Sequence, residues 1–158
     1  MPFFFDDERC NFPKGKIQVQ TYHPFYEPGN TVSGLIYIEI MEAVACSHIE
    51  LEIKGGEKCS FIRHWTTTND DGEIQHHHEK LKKSKKFLEF KQPVFQIADG
   101  MLQPGIYQVG FTTQLPEKIP SSLGFKYKGC REEPKAKVKY HIKATLKTQD
   151  KHDEMKYK

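Results

Sequence analysis

Tryptophan occurs once in this 158-residue chain, and no apolar run approaches the roughly 18 residues that a membrane-crossing helix requires. The four cysteines, Cys10, Cys46, Cys59 and Cys130, are far apart and form no CxxC pair. Zinc sites normally bring two ligands together in sequence, so the expectation is four thiols in a reducing compartment and no metal. No GxSxG elbow, HExxH helix, Walker A loop or GxGxxG turn is present. No carboxylate pair stands out in an apolar setting, so neither an enzyme nor a resident cofactor is expected. Met1-Pro2-Phe3-Phe4-Phe5 runs directly into Asp6, Asp7 and Glu8. A secretory signal has basic residues first and a longer apolar stretch after them. The expected location is cytoplasmic.

What is present is charge and alternation. Lysine and arginine number 24 against 21 aspartates and glutamates, a net charge of +3. The distribution matters more than the total. Residues 80–91 hold six lysines against Glu89, net +5, and residues 126–147 hold eight basic residues against Glu132 and Glu133, net +6. The rest of the chain is therefore acidic.

Hydrophobic residues recur with a period of two, the signature of strands with one dry and one wet face. In 137–147, Val138, Tyr140, Ile142, Ala144 and Leu146 take one face and Lys137, Lys139, His141, Lys143, Thr145 and Lys147 the other. Val32, Gly34, Ile36, Ile38 and Ile40 alternate, as do Ile49, Leu51 and Ile53, and Tyr107, Val109, Phe111, Thr113 and Leu115. Ile17, Val19 and Thr21 suggest a first strand. Cys59, Phe61, Arg63 and Trp65 share a face, with Phe61 and Trp65 expected inward. Leu88 with Phe90 and Phe95 with Ile97 suggest two short strands around Pro93, which marks an edge, a bulge or a break. Pro28-Gly29-Asn30, Gly55-Gly56, Asp70-Asp71-Gly72, Asp99-Gly100 and Pro104-Gly105 supply turns. Thr66 to Lys85 is polar without alternation and reads as a long loop. Residues 116–134 read as a second long connection, with weak strand character at Phe125–Tyr127. The fold class is all-β, an antiparallel immunoglobulin-like sandwich of about seven to eight strands.

The candidate binding residues are lysines. Like charges at every second position project together and raise the local potential. Lys137, Lys139, Lys143 and Lys147 form one such face, and Lys82, Lys83, Lys85 and Lys86 a second group. Each reads either as a solvated face that deters edge-to-edge pairing or as an anion-binding surface. His76-His77-His78 alternates in direction on an extended chain and forms no facial metal site. It reads as part of the polar loop. Aromatic residues fall on the inward face of the alternation, so the stacking platforms of single-strand nucleic-acid binders are not expected.

Several segments in order resemble the N-terminal lobe of the arrestin family. Tyr26-Glu27-Pro28-Gly29-Asn30-Thr31-Val32-Ser33-Gly34 resembles the family's Y-x-P-G-x-x-V-x-G. Ile49-Glu50-Leu51 with Gly55-Gly56, and Leu102-Gln103-Pro104-Gly105-Ile106-Tyr107, follow the later strands. Val109-Gly110 stands where the family usually has Phe-Pro. Leu115-Pro116, Pro120-Ser121-Ser122 and Tyr140-His141-Ile142-Lys143-Ala144-Thr145-Leu146 complete the set. The pattern is most similar to alpha-arrestins, the arrestin-domain-containing proteins. The resemblance implies an arrestin-type sandwich over 14–148, an extension at 1–13, and a polar tail or linker at 149–158. It implies a non-enzymatic adaptor or scaffold that binds protein partners, namely cytoplasmic tails of membrane cargo, in some cases phosphorylated, and the sorting machinery. Such a protein acts in protein transport, endocytosis or signalling, with recruitment to plasma or endosomal membranes. The alternatives are a structural subunit of a sorting coat, as in the retromer arrestin-like subunit, and a basic-patch module on anionic membrane. Lys14 and Lys16, near the first strand, are weak counterparts of the family's phosphate-sensing lysines. No Pro-Pro-x-Tyr motif or acidic clathrin-binding tail occurs in the sequence.

Overall fold

Alternating Ile, Val and Tyr residues can hide one face only by laying a sheet against another. The computed structural model describes residues 11–151 and 154–157 and consists of antiparallel strands without an α-helix. These are β1 (Asn11–Phe12), β2 (Gly15–Thr21), β3 (Thr31–Ile40), β4 (Val44–Thr68), β5 (Ile74–Gln96), β6 (Met101–Leu102), β7 (Gly105–Gln114), β8 (Leu123–Lys126), β9 (Lys135–Thr148) and β10 (Met155–Tyr157). Seven have four residues or more, in line with the sandwich read from the sequence. One sheet runs β1-β2-β3-β7 and the other β10-β9-β4-β5, with β6 on β4 and β8 on β9.

The chain divides into two compact units. Unit 1 comprises Met1–Lys54, Glu89–Ile119 and His141–Lys158; unit 2 comprises Gly55–Leu88 and Pro120–Tyr140. Unit 1 contains the sandwich. Its core joins Ile17, Val32, Ile36, Ile38 and Ile40 of the first sheet to Val44, Cys46, Ile49, Leu51, Ala144, Leu146 and Met155 of the second. Each large aliphatic side chain buried there contributes about 1.5–3 kcal/mol. The register is fixed by the same pattern: Ile17↔Ile38 and Val19↔Ile36 across β2–β3, then Ile36↔Val109 and Gly34↔Phe111 across β3–β7. Gly34 is required by its surroundings. A Cβ there would meet the Gln20 carbonyl oxygen and lie 2.8 Å from the Phe111 ring. Cys46 is buried and its thiol is pushed up by desolvation, only partly offset by a hydrogen bond from the Leu102 backbone, which makes it an unreactive core residue. Cys59 and Cys130 are also free thiols, and Cys10 lies outside the described residues.

Unit 2 holds four strand segments of the second sheet. Along β4 and β5 the structure corrects the sequence reading at three places. Thr66–Lys85 is not a loop: β4 continues to Thr68, and β5 resumes at Ile74. The intervening turn is closed by Asn69 N–H to Glu73 O at 3.0 Å and Gly72 N–H to Asn69 O at 2.9 Å. Gly72 has φ +81°, a conformation that favours glycine. The alternation is missing because the side chains on both faces of this stretch are largely exposed. For the same reason Phe61 and Trp65, expected inward, are 45% and 38% exposed. The two short strands expected around Pro93 are one strand, and Pro93 sits on β5, at the end of the sheet order, an edge position of the kind to which proline is largely confined within sheets. Gly55 packs where a Cβ would stand 2.7 Å from both the Phe87 and Tyr140 rings, which themselves meet edge to face at 5.4 Å.

Candidate functional site

Two sets of lysines have opposite fates. The first lies on the polar face of the second sheet in unit 1. Alternation along β4 puts Glu50, Glu52 and Lys54 on that face, and pairing brings β5, β9 and β10 alongside. Glu52 is only 4% exposed. Its carboxylate meets Lys54 Nζ at 2.9 Å, Lys91 Nζ at 3.1 Å and Lys143 Nζ at 4.0 Å, while Lys54 also reaches Glu89 at 3.2 Å. Burial pushes this carboxyl up, but the hydrogen bonds from Lys54 and Lys91 outweigh it and hold it at about 2. Lys147 meets Glu50 at 3.5 Å and Glu154 at 4.0 Å, and Lys156 meets Glu154 at 2.9 Å. Charge-assisted contacts with Lys156 hold the Glu154 carboxyl below its ordinary value. In the first sheet Lys16 faces Glu39 in register, with an ion pair at 3.8 Å, and the Lys14 carbonyl accepts from Met41 N–H. Of the lysines singled out from the sequence, Lys16, Lys143 and Lys147 are thus paired with carboxylates. The sequence carried one half of this signal, the alternating Glu50-Leu51-Glu52-Ile53-Lys54. The other half needed the register.

The second set surrounds a cavity of about 600 Å³ in unit 2. All four strand segments line it: Lys58, Cys59 and Ser60 from β4, Lys82, Lys83 and Ser84 from β5, Gly124, Phe125 and Lys126 from β8, and Lys135, Ala136 and Lys137 from β9. Phe125 pairs with Ala136 and Lys126 with Lys135 in register. Lys135 has an ion pair with Glu133 at 3.7 Å. Among the described residues, Lys58, Lys82, Lys83, Lys126 and Lys137 have no carboxylate within ion-pair distance. The Lys139 ammonium beside Lys137, with Lys58 further off, pulls the Lys137 pKa below its ordinary value. That is the mark of like charge without compensation. Lys85 and Lys86 continue β5 on exposed positions. Lys58, Lys126 and Lys135 were missed by sequence reasoning, which weighed lysines within single runs and could not bring four strands together.

Near the turn, Arg63 lies over the Trp65 ring at 4.8 Å, and His77 stacks on that ring at 5.4 Å. His77 Nε2 is hydrogen-bonded to Thr67 Oγ1 at 2.7 Å, and His64 Nε2 to the Arg131 carbonyl at 3.0 Å. His76-His77-His78 is therefore part of β5, not of a loop. Among the described residues no group of three or more His, Cys, Asp or Glu is placed to hold a metal ion, and no helix is long and apolar enough to cross a membrane.

The family described as "Arrestin (or S-antigen), N-terminal domain" matches residues 15–158. The chain belongs to the arrestin N-terminal domain family. Arrestin domain-containing protein A of Dictyostelium discoideum is 27% identical over 143 residues, which cover 89% of this chain and 24% of that protein. The crystal structure of Spo0M, a sporulation control protein from Bacillus subtilis, matches with a TM-score of 0.55 and 20% identity, over 87% of this chain and 44% of that one. The second likeness speaks to the fold alone. This arrestin domain thus spans about a quarter of one relative and less than half of the other. Membership supports an adaptor or scaffold role with protein partners, and arrestin relatives of this kind are not enzymes.

Proposed function

We propose that this arrestin domain, over residues 14–148, is a docking module for the cytoplasmic tails of membrane proteins in trafficking or signalling, and that it holds phosphorylated tails more tightly than unphosphorylated ones. The observation that carries this reading is the arrestin family match across 15–158. The exposed lysines of unit 2 support the phosphate preference. Among the described residues, Lys82, Lys83, Lys137 and Lys139 have no carboxylate within ion-pair distance to compete with a phosphate, and charge-assisted contacts to phosphate are about twice as strong as neutral ones. Lys143 and Lys147 are a poorer choice, because a phosphate would have to displace Glu52, Glu50 or Glu154.

Fluorescence anisotropy with a multiply phosphorylated tail peptide and its unphosphorylated twin, at low and high salt, tests this. Binding of the phosphorylated form should be tighter by about tenfold or more, with the advantage shrinking at high salt. Equal affinity of the two peptides, or none for either, would sink the phosphate preference.

A further inference from the structure

We propose that His64 and His78 form a two-imidazole site for a divalent transition-metal ion of the zinc, nickel and copper class, bridging β4 and β5 near their turn. This is independent of tail docking, because it involves neither the lysines nor a peptide. The argument starts from register. Asn69 and Glu73 close the turn between the two strands. Counting back from them sets Arg63 opposite Glu79, His64 opposite His78 and Trp65 opposite His77. All three pairs are in contact: the ion pair at 3.3 Å, the two imidazoles with ring centres 6.2 Å apart, and the stacked rings at 5.4 Å. Successive residues of a strand point to opposite faces. His77 therefore shares a face with Arg63, Trp65 and Glu79, while His64, His76 and His78 lie on the other. The run His76-His77-His78 makes no facial site by itself. The imidazole that faces His78 comes from β4.

The lone pair of His64 is fixed by its neighbour. Its Nε2 lies 3.0 Å from the Arg131 carbonyl oxygen, which can only accept, so Nε2 carries the proton. Nδ1 then holds the lone pair, on the ring edge turned away from Arg131. In the sheet order β4 lies between β9 and β5. Arg131 and Glu132 approach β4 from the β9 side, where the Ile62 N–H donates to the Glu132 carbonyl at 2.7 Å. The lone pair is thus directed to the β5 side, where His78 stands. One ring N–H held by a backbone carbonyl, with the other nitrogen open, is the usual arrangement of a metal-ligating histidine.

The spacing needs one adjustment. A tetrahedral ion with bonds of about 2 Å to nitrogen holds two imidazoles with ring centres roughly 5 Å apart. The observed 6.2 Å must therefore shrink by about 1 Å on binding. Both side chains are exposed, so small torsional shifts achieve this without disturbing packing. Among the described residues no third His, Cys, Asp or Glu is grouped with the pair, so water completes the coordination. Neighbouring charge does not oppose a cation strongly. Arg63 is paired with Glu79. Arg131 is accompanied by Glu132, whose carboxyl is held below its ordinary value first by its own backbone amide and then by Cys130, with His64 and Arg131 adding to the effect.

Trp65, the single tryptophan, is next to His64 on β4 and reports a bound paramagnetic ion by quenching of its fluorescence. Ni²⁺ is the probe, since imidazole suits it and, unlike Cu²⁺, it does not oxidise the free thiols Cys59 and Cys130. Titrated with Ni²⁺ alone, the parent should be quenched saturably at one ion per chain. His64→Gln and His78→Gln should each weaken binding by about tenfold or more. Glutamine at position 64 can still donate to the Arg131 carbonyl, so the metal-free variant should melt with the parent. His77→Phe, on the other face and still able to stack on Trp65, should leave the affinity within about twofold. If His76→Gln or His77→Phe weakens binding as much as His78→Gln, while His64→Gln leaves it unchanged, the histidine run binds metal adventitiously and the site is overturned. Imidazole ¹H–¹⁵N spectra with Zn²⁺ add a readout specific to the geometry. His64 Nδ1 should shift while Nε2 keeps its proton; a shift at neither nitrogen of His64, or coordination through Nε2, would overturn the assignment.

Discussion

Glu52→Gln should lower the stability of the domain by about 2–3 kcal/mol at neutral pH, and the difference from the parent should vanish in strong acid. The sign follows from the carboxyl's position. Its ordinary value is 4.5, and the folded protein holds it at about 2. A group with a depressed folded pKa adds stability above its unfolded pKa and loses it as pH falls toward the folded one. Full linkage over that interval would give slightly more than 3 kcal/mol at about 1.4 kcal/mol per unit. The figure is reduced because Lys91 and Lys54 are themselves solvated at 51% and 31% side-chain exposure, and water screens their attraction. Glutamine keeps the shape and removes the charge that draws Lys54, Lys91 and Lys143 together. For a chain of this size the melting temperature should drop by roughly 5–10 °C. Urea unfolding from pH 7 down to pH 2 would show the two curves converging between about pH 4.5 and 2. A constant gap across that range would mean that Glu52 acts through packing and not through charge.

Leu51→Ala should cost about 2–5 kcal/mol, the largest single effect expected in the molecule. Leu51 is fully buried on β4, in the core that joins the two sheets of unit 1. Its truncation removes several methyl and methylene contacts and leaves a void that the flanking Ile49 and Ile53 backbone cannot close without breaking strand register. Phe125→Ala provides the contrast. Phe125 is also a large apolar residue in a strand, yet it is 51% exposed, so its truncation should shift stability by about 0.5 kcal/mol or less. Thermal unfolding of both variants checks the pair. Comparable losses for the two would mean that unit 2 buries Phe125 in solution.

The same contrast explains what could be read from the sequence. Val138, Tyr140, Ile142, Ala144 and Leu146 announced β9 because they share a face along which Ile142 packs against the sandwich core and Ala144 and Leu146 are fully buried in it. The two-sheet fold followed from a handful of such runs. Past Lys54 that signal fades, because in unit 2 the strands bury little on either face, and hydrogen bonding between backbones leaves no mark on side-chain polarity. The strands there left weaker marks: the shared face of Cys59, Phe61, Arg63 and Trp65, the strand character at Phe125–Tyr127, and the Asp70-Asp71-Gly72 turn. The lysines were visible as runs, but whether a lysine is paired depends on the neighbouring strand. Lys143 and Lys137 sit on the same face of β9, six residues apart. One meets Glu52 across to β4 and the other meets Lys139 and Lys58. Nothing within 137–147 distinguishes them.

That division between spent and unspent lysines is the central claim, and amide chemical-shift mapping tests it most directly. Titrating a multiply phosphorylated tail peptide into the isotope-labelled domain should perturb residues 58–60, 82–84, 124–126 and 135–139 while leaving 143–147 and 14–16 in place. Perturbations centred on Lys143, Lys147 or Lys16, with residues 58–60 and 82–84 unmoved, would contradict it.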